Sequence, residues 1–238
     1  MAHGPDTHKL MKLLSFVKTS NTKLLTISNL NITSLPELPS CITEIICNYT
    51  PLTSLPNNLP PNLESLSCAH TKITSLPPLP NHLRRLICSN TNLTSLPPLP
   101  RGLNLLCCNN IIIRKLPQLP PYLTTLICDH TYIRELPSLP HGLQVLNCSS
   151  NHIQILPPLP SCLRILNCEH CPLFIKRGRF ESIETYTKRW SALTEELIKQ
   201  RCQERCLTIK EDLMAAAWHP RRVERWIEAC GIEVLDSL

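Results

Sequence analysis

Aromatic residues and glycine are scarce in this sequence. Phe, Trp and Tyr make up 4% of 238 residues, and there are five glycines. So few rings rule out a core built on large aromatic side chains. So few glycines rule out a fold that depends on frequent left-handed glycine turns. No stretch approaches the ~20 apolar residues of a membrane helix. The N-terminal run Leu10-Met11-Lys12-Leu13-Leu14-Ser15-Phe16-Val17 is short and broken by Lys12, with no convincing small-residue cleavage site after it. It does not read as a signal peptide. A dense basic stripe is missing too. Residues 1–175 hold 12 Lys/Arg against 7 Asp/Glu, or +5, and residues 176–238 hold 12 against 11, or +1. No nucleic-acid partner and no membrane partner is expected from that balance.

Proline and cysteine are abundant instead, with 23 and 14 copies, and the apolar fraction is 42%. Pro at that level signals either disorder or a repeat with Pro at a fixed place. Spacing decides for the repeat. Cys47, Cys68, Cys88, Cys108, Cys128, Cys148 and Cys168 are separated by one gap of 21 residues and five of 20. The unit opening at Leu83 shows the frame: Leu83, Leu86, Cys88, Thr91, Leu93, Leu96-Pro97, Leu99-Pro100. Leu63, Leu123 and Leu143 open equivalent units, and Ile27 fills the Cys slot of an earlier one. About eight units run from near Thr22 to Leu173.

The generic unit is L-x-x-L-x-C-x-x-T-x-L-x-x-L-P-x-L-P-x-x. It resembles the leucine-rich-repeat frame L-x-x-L-x-L-x-x-N-x-L, with Cys in the third apolar slot and Thr usually in place of Asn. The short unit with its L-P-x-L-P half looks most like the repeats of secreted effectors from enteric bacterial pathogens. The resemblance implies a leucine-rich-repeat solenoid: a curved parallel β-sheet with an extended or polyproline convex side, closed by helical N- and C-terminal caps. Elementary physics agrees. In L-x-x-L-x-C, alternate strand side chains point inward. Pro in the second half prevents a helix and suits polyproline geometry. One unit cannot bury its leucines alone, but a stack can.

This gives three segments: 1–21 as an N-terminal helical cap with Thr7 as its N-cap, 22–175 as repeats, and 176–238 as a C-terminal helical segment. A membrane-surface helix is the alternative for the first. In the third, Ile183, Tyr186, Trp190, Leu193, Leu197 and Ile198 recur at helical steps. Trp190, Trp218 and Trp226 are its expected anchors. Residues 214–226 resemble a short C-terminal motif of many proteins of nucleocytoplasmic large DNA viruses. That likeness implies an infection setting and, for a viral chain, the host cytoplasm.

The seven cysteines read as a core ladder rather than a redox or metal site. In-register parallel strands lie about 4.7–4.9 Å apart and hold neighbouring Cβ atoms near that spacing. A disulfide wants about 3.8 Å. A dry core also raises thiol pKa values. Cys107 falls on the opposite strand face and is the repeat cysteine expected to be exposed. At the ninth position, Thr50, Thr71, Thr91 and Thr131 can do part of the family Asn's work, Asn151 can do all of it, and Ile111 and Cys171 can do none.

Two outward columns are expected on the concave face. One is Thr26, Ile46, Ser67, Ile87, Cys107, Ile127, Asn147 and Asn167. The other is Leu24, Glu44, Ser65, Arg85, Leu105, Thr125, Val145 and Ile165. Arg85, Ile87, Leu105, Cys107, Ile127, Asp129 and Val145 form the candidate partner-binding site, since exposed apolar patches mark interaction surfaces. His70, His130 and His170, with His152 nearby, sit two or more repeats apart, about 10 Å by strand spacing, too far to share a metal.

The function expected is a non-catalytic scaffold, a monomer binding a protein partner and needing no cofactor. A ubiquitin-ligase-type effector or adaptor is the alternative, because similar bacterial repeats precede a ligase domain. The tail lacks that domain's Cys-x-Asp motif. Cys202, Cys206, His219 and Cys230 offer the residue types of a zinc site, and Arg221, Arg222 and Arg225 those of a nucleic-acid patch. Neither set forms a compact module.

Overall fold

The computed structural model describes residues 5–173, 181–189 and 192. The chain divides into compact units Met1–Thr187 and Lys188–Leu238, and the repeats lie in the first.

Eight three-residue strands form one parallel sheet in sequence order: β1 (Leu24–Thr26), β2 (Glu44–Ile46), β3 (Ser65–Ser67), β4 (Arg85–Ile87), β5 (Leu105–Cys107), β6 (Thr125–Ile127), β7 (Val145–Asn147) and β8 (Ile165–Asn167). Each pairs in register with the next, so Leu25, Ile45, Leu66, Leu86, Leu106, Leu126, Leu146 and Leu166 form one central column. All eight are buried. The parallel-strand solenoid that the leucine-rich-repeat resemblance implies is the observed architecture.

Each L-x-x-L-x-C segment places its two Leu and its Cys inward, and the Thr-x-Leu/Ile half adds Leu52, Ile73, Leu93, Ile113, Ile133 and Ile153 to the same core. Burying each Leu is worth roughly 1.5–3 kcal/mol. The Pro-rich halves carry no helix. They end in a repeated β-turn in which the opening Leu donates to a Pro carbonyl three residues back, as in Leu83 N–H to Pro80 at 3.1 Å and Leu103 N–H to Pro100 at 3.1 Å. No residue of these turns has a positive φ. They therefore accept any side chain at their two central positions.

A second turn comes after each strand. Asn29, Tyr49, His70, Asn90, Asn110, His130, Ser150 and His170 all adopt a left-handed φ of 52–62°. Asn and His tolerate that region better than most residues. The backbone N–H of each of these except His170 bridges to the next repeat, as His70 does to Ser89 O at 2.9 Å. The histidine column read from the sequence is thus a turn position first.

Helix α1 (Thr7–Ser20) covers the β1 end. Leu10, Leu14 and Val17 are its buried stripe. The N-cap is Asp6, not Thr7, which is the first helical residue. Asp6 turns its carboxylate outward from the helix to accept Asn31 N–H at 2.8 Å and pair with Lys9 at 2.9 Å. Those bonds tie the cap to the first repeat and hold the Asp6 carboxyl below its ordinary value. Near the other end, residues 183–189 are helical, Ser182 Oγ accepts Thr185 N–H at 3.1 Å, and Tyr186 is fully buried. The segments holding Trp190, Trp218, Trp226 and the motif at 214–226 lie outside the described residues, as do Cys202, Cys206, Cys230 and His219.

Candidate partner-binding face

The core side of the sheet decides which side is free. Cys47, Cys68, Cys88, Cys108, Cys128 and Cys148 have no accessible surface. Their N–H groups donate to the next strand at 2.8 Å, as Cys88 does to Cys107 O. Burial pushes the Cys47 thiol up to about 12 and lifts Cys68, Cys88, Cys108 and Cys128 as well. Such thiols are poor nucleophiles. Cys168 departs from the column. It is half-buried, unlike the six before it, and sits on the last strand among the described residues.

The ninth-position bonds match the Thr/Asn reading. Thr50, Thr71, Thr91 and Thr131 donate to the carbonyl of their own repeat's Cys at 2.8–3.1 Å. Asn151 reaches further, donating to Cys128 O at 2.8 Å, Cys148 O at 3.0 Å and Ser149 O at 3.2 Å while accepting Ile133 N–H at 3.1 Å. Cys171 corrects an expectation. It is buried and its Sγ bonds to Cys148 O at 3.1 Å. A thiol donor therefore substitutes for the hydroxyl. A hydrogen bond between the two thiols pulls Cys171 down and pushes Cys148 up, with burial adding to the rise at Cys148.

On the opposite face the two columns read from the sequence are the observed strand register. Ile87, Leu105, Cys107, Ile127 and Val145 are half-buried, neither core nor fully open, and Arg85 is exposed. Arg85 pairs with Glu44 at 3.2 Å across two strand steps. Cys107 is tethered rather than open, bonding to Asn109 Oδ1 and Ser89 Oγ at 3.2 Å each. Asp129 is mostly covered and accepts Asn147 Nδ2 at 2.9 Å and His130 Nδ1 at 3.0 Å. It therefore shapes the rim by orienting two neighbours.

That rim is knitted along much of its length. Asn48 Oδ1 takes Ser67 Oγ at 2.8 Å and Ala69 N–H at 2.9 Å, and Ser89 Oγ donates to Asn109 Oδ1. Further out, Tyr49 stacks on His70 at 4.3 Å between centroids, Asn90 Nδ2 donates to His70 Nε2 at 3.4 Å, and Asn110 Nδ2 donates to Asn90 Oδ1 at 3.0 Å. Among the described residues, no group of three or more His, Cys, Asp or Glu is placed to hold a metal ion. No helix there is long and apolar enough to cross a membrane.

The strand-entry edge differs. A cleft of about 460 Å³ opens there, lined by Asn81, His82, Arg84, Gly102, Asn104 and Tyr122. His82, Gly102 and Tyr122 occupy the same turn position in three consecutive repeats, and the missing side chain at Gly102 leaves a gap between two rings. Asn104 Oδ1 is buried without a hydrogen-bond partner. An unmatched buried acceptor costs about 1–3 kcal/mol. Nothing in the sequence pattern points to this cleft.

Residues 61–100 match the family described as leucine rich repeats (2 copies). Among solved structures, YopM from Yersinia enterocolitica is similar at 35% identity with a TM-score of 0.60, covering 63% of this chain and 34% of that one. YopM from Yersinia pestis, a leucine-rich effector protein, is similar at 25% identity with a TM-score of 0.63, covering 71% of this chain and 55% of that one. A Shigella effector leucine-rich-repeat domain is similar at 25% identity with a TM-score of 0.50, covering 62% and 78%. The chain spans a third to about half of the two Yersinia proteins. No curated protein sequence matches it. Register, buried columns and these likenesses together identify the repeat region as a leucine-rich-repeat solenoid similar in structure to bacterial effector repeats.

Proposed function

We propose that this chain is a non-catalytic scaffold that binds a protein partner through the concave face of its repeats. The observation that carries the reading is the row Ile87, Leu105, Cys107, Ile127 and Val145. These residues sit on consecutive strands, half-exposed, opposite a core already filled by the Leu and Cys columns. A sheet face on which no other described element packs, with an apolar stripe along it, gains free energy when a partner covers that stripe. Arg85 and Asp129 flank the stripe and set its polar margin. The scaffold character agrees with the buried, high-pKa thiols, which leave the ladder without an activated nucleophile. The setting we propose is infection: a viral chain acting on a host protein in the host cytoplasm, on the strength of residues 214–226 and the effector-like repeats.

The test is capture of partners by the full chain and by Ile87→Asp and Ile127→Asp. Loss of one partner from both variants, with unchanged circular dichroism and melting, supports the concave face. Undiminished capture by folded variants places the interface elsewhere.

A further inference from the structure

The rim after the strands and the edge before them treat their polar groups differently. After the strands, Asn48, Ser67, Ser89, Asn109, Asp129 and Asn147 satisfy one another. Before them, Asn81, His82, Arg84, Asn104 and Tyr122 converge on one cleft, and none of their side chains makes a hydrogen bond or ion pair with another described residue. Arg85 has a counter-ion in Glu44, whereas Arg84 beside it has none among the described residues. Arg101 adds a second exposed cation next to Gly102, and exposed Glu64 is the acidic neighbour on the adjoining repeat. The cleft volume falls in the range of about 300–1,000 Å³ typical of ligand sites.

We propose that this cleft receives one acidic residue of an extended partner segment, with its carboxylate on Arg84 and its peptide group on the Asn104 carboxamide. This deepens the concave-face reading and rests on it, since Arg84 and Asn104 directly precede β4 and β5. Arg84 supplies planar, paired donors suited to a carboxylate. The Asn104 carboxamide carries both a donor and an acceptor. A peptide group offers the complement of both, which a bare anion does not. His82 and Tyr122 wall the gap, and Tyr122 is 70% exposed, so its ring is free to cover the incoming backbone. Gly102 makes the gap. Its backbone does not require glycine, because φ is not left-handed and an added Cβ would meet nothing nearer than Asn81 O at 3.7 Å. Other repeats carry Asn62, His82, Tyr122, Gly142 and Cys162 at this turn position.

Because the turn accepts such side chains, the gap can be filled without disturbing the fold. The full chain is titrated with acetyl-Gly-Glu-Gly-amide, with its Gln counterpart, and with inorganic phosphate, while amide and Asn side-chain resonances are followed by NMR. The Glu peptide should shift Gly102 N–H and the Asn104 carboxamide saturably, binding on the order of fivefold more tightly than the Gln peptide. Arg84→Gln should erase that difference. Gly102→Tyr should fill the gap and abolish both responses without lowering the melting temperature. Equal binding of the two peptides, no saturable response, an equal response to phosphate, or unaltered binding to Gly102→Tyr would overturn the proposal. A captured partner lost by Ile87→Asp but held fully by Gly102→Tyr would sink the cleft while leaving the concave face standing.

Discussion

Replacing Asn151 with Ala tests whether the ninth-position amide fastens one repeat to the next. The side chain is buried and its carboxamide makes four bonds to backbone. The carbonyls it serves each keep another donor: Thr131 Oγ1 for Cys128, Cys171 Sγ for Cys148, and His130 N–H for Ser149. The group left stranded is Ile133 N–H, whose acceptor is Asn151 Oδ1. An unmatched buried N–H costs about 1–3 kcal/mol, and each remaining bond contributes about 0.5–1.5 kcal/mol net. We therefore expect a loss of about 3–5 kcal/mol, in the lower part of that sum because the three carbonyls keep other donors. Asn151→Thr should recover about 1 kcal/mol, because Thr bonds to its own repeat's Cys carbonyl, as Thr91 does to Cys88 at 2.9 Å, and leaves Ile133 unserved. Stability of a solenoid is a sum of local and nearest-neighbour terms, so a global midpoint can blur the effect. Site-resolved hydrogen exchange is the sharper assay, with protection lost first at Ile133. A change within about 0.5 kcal/mol and unaltered exchange at Ile133 would refute the reasoning.

The same geometry sets other outcomes. The ladder thiols stay neutral in the folded chain well above the ordinary value of 9.0, with Cys47 at about 12. The unfolded chain releases those protons first, so stability is fully present below about pH 9 and is lost at about 1.4 kcal/mol per pH unit per thiol above it. Urea midpoints measured from pH 7 to 11 should fall steeply past pH 9, and a flat profile would contradict the buried column. In native protein, a thiol reagent should modify exposed Cys162 before any of Cys68, Cys88, Cys108 or Cys128, as mass mapping would show. Leu106→Ala, removing a fully buried side chain from the middle strand, should cost about 2–5 kcal/mol in denaturant unfolding. Arg85→Ala should change stability by less than about 1 kcal/mol, since its pair with Glu44 is exposed.

The sequence makes legible whatever the period enforces. A side chain that returns every 20 residues to one inward slot must be apolar and of constant size, so the Leu and Cys columns, the strand register and the two outward columns are all visible in the string. The ends are less legible because the period stops there. Cys168 keeps the repeat spacing but is only half-buried, on the last strand among the described residues. Asp6, not Thr7, is the N-cap because its carbonyl accepts Leu10 N–H at 3.1 Å, while its carboxylate goes to Asn31, 25 residues away in the chain. Cys171 fills a hydroxyl's role through a weak thiol donor, a substitution that residue type alone argues against. The histidine column is visible as a column, but the left-handed φ that defines it comes from a turn with no Gly to advertise it.

The cleft is illegible for a different reason, and that reason bears on how such solenoids acquire specificity. A frame search looks for residues that recur. His82, Gly102 and Tyr122 share a turn position whose backbone accepts any side chain, so the period places no demand there and reveals nothing when it varies. Only stacking brings three unlike residues side by side and makes the small one a gap between two rings. The buried columns must repeat for the fold to exist, whereas the turn positions are free to differ from repeat to repeat. A binding site assembled from the second set can change without disturbing the first. On that logic, substitutions at residues 82, 102 and 122 should alter peptide binding while leaving melting within the scatter of the parent, and substitutions in the Leu or Cys columns should do the reverse. Peptide titration and thermal unfolding on the same variants would separate the two classes. If both sets moved stability and binding together, position in the repeat would not partition fold from recognition.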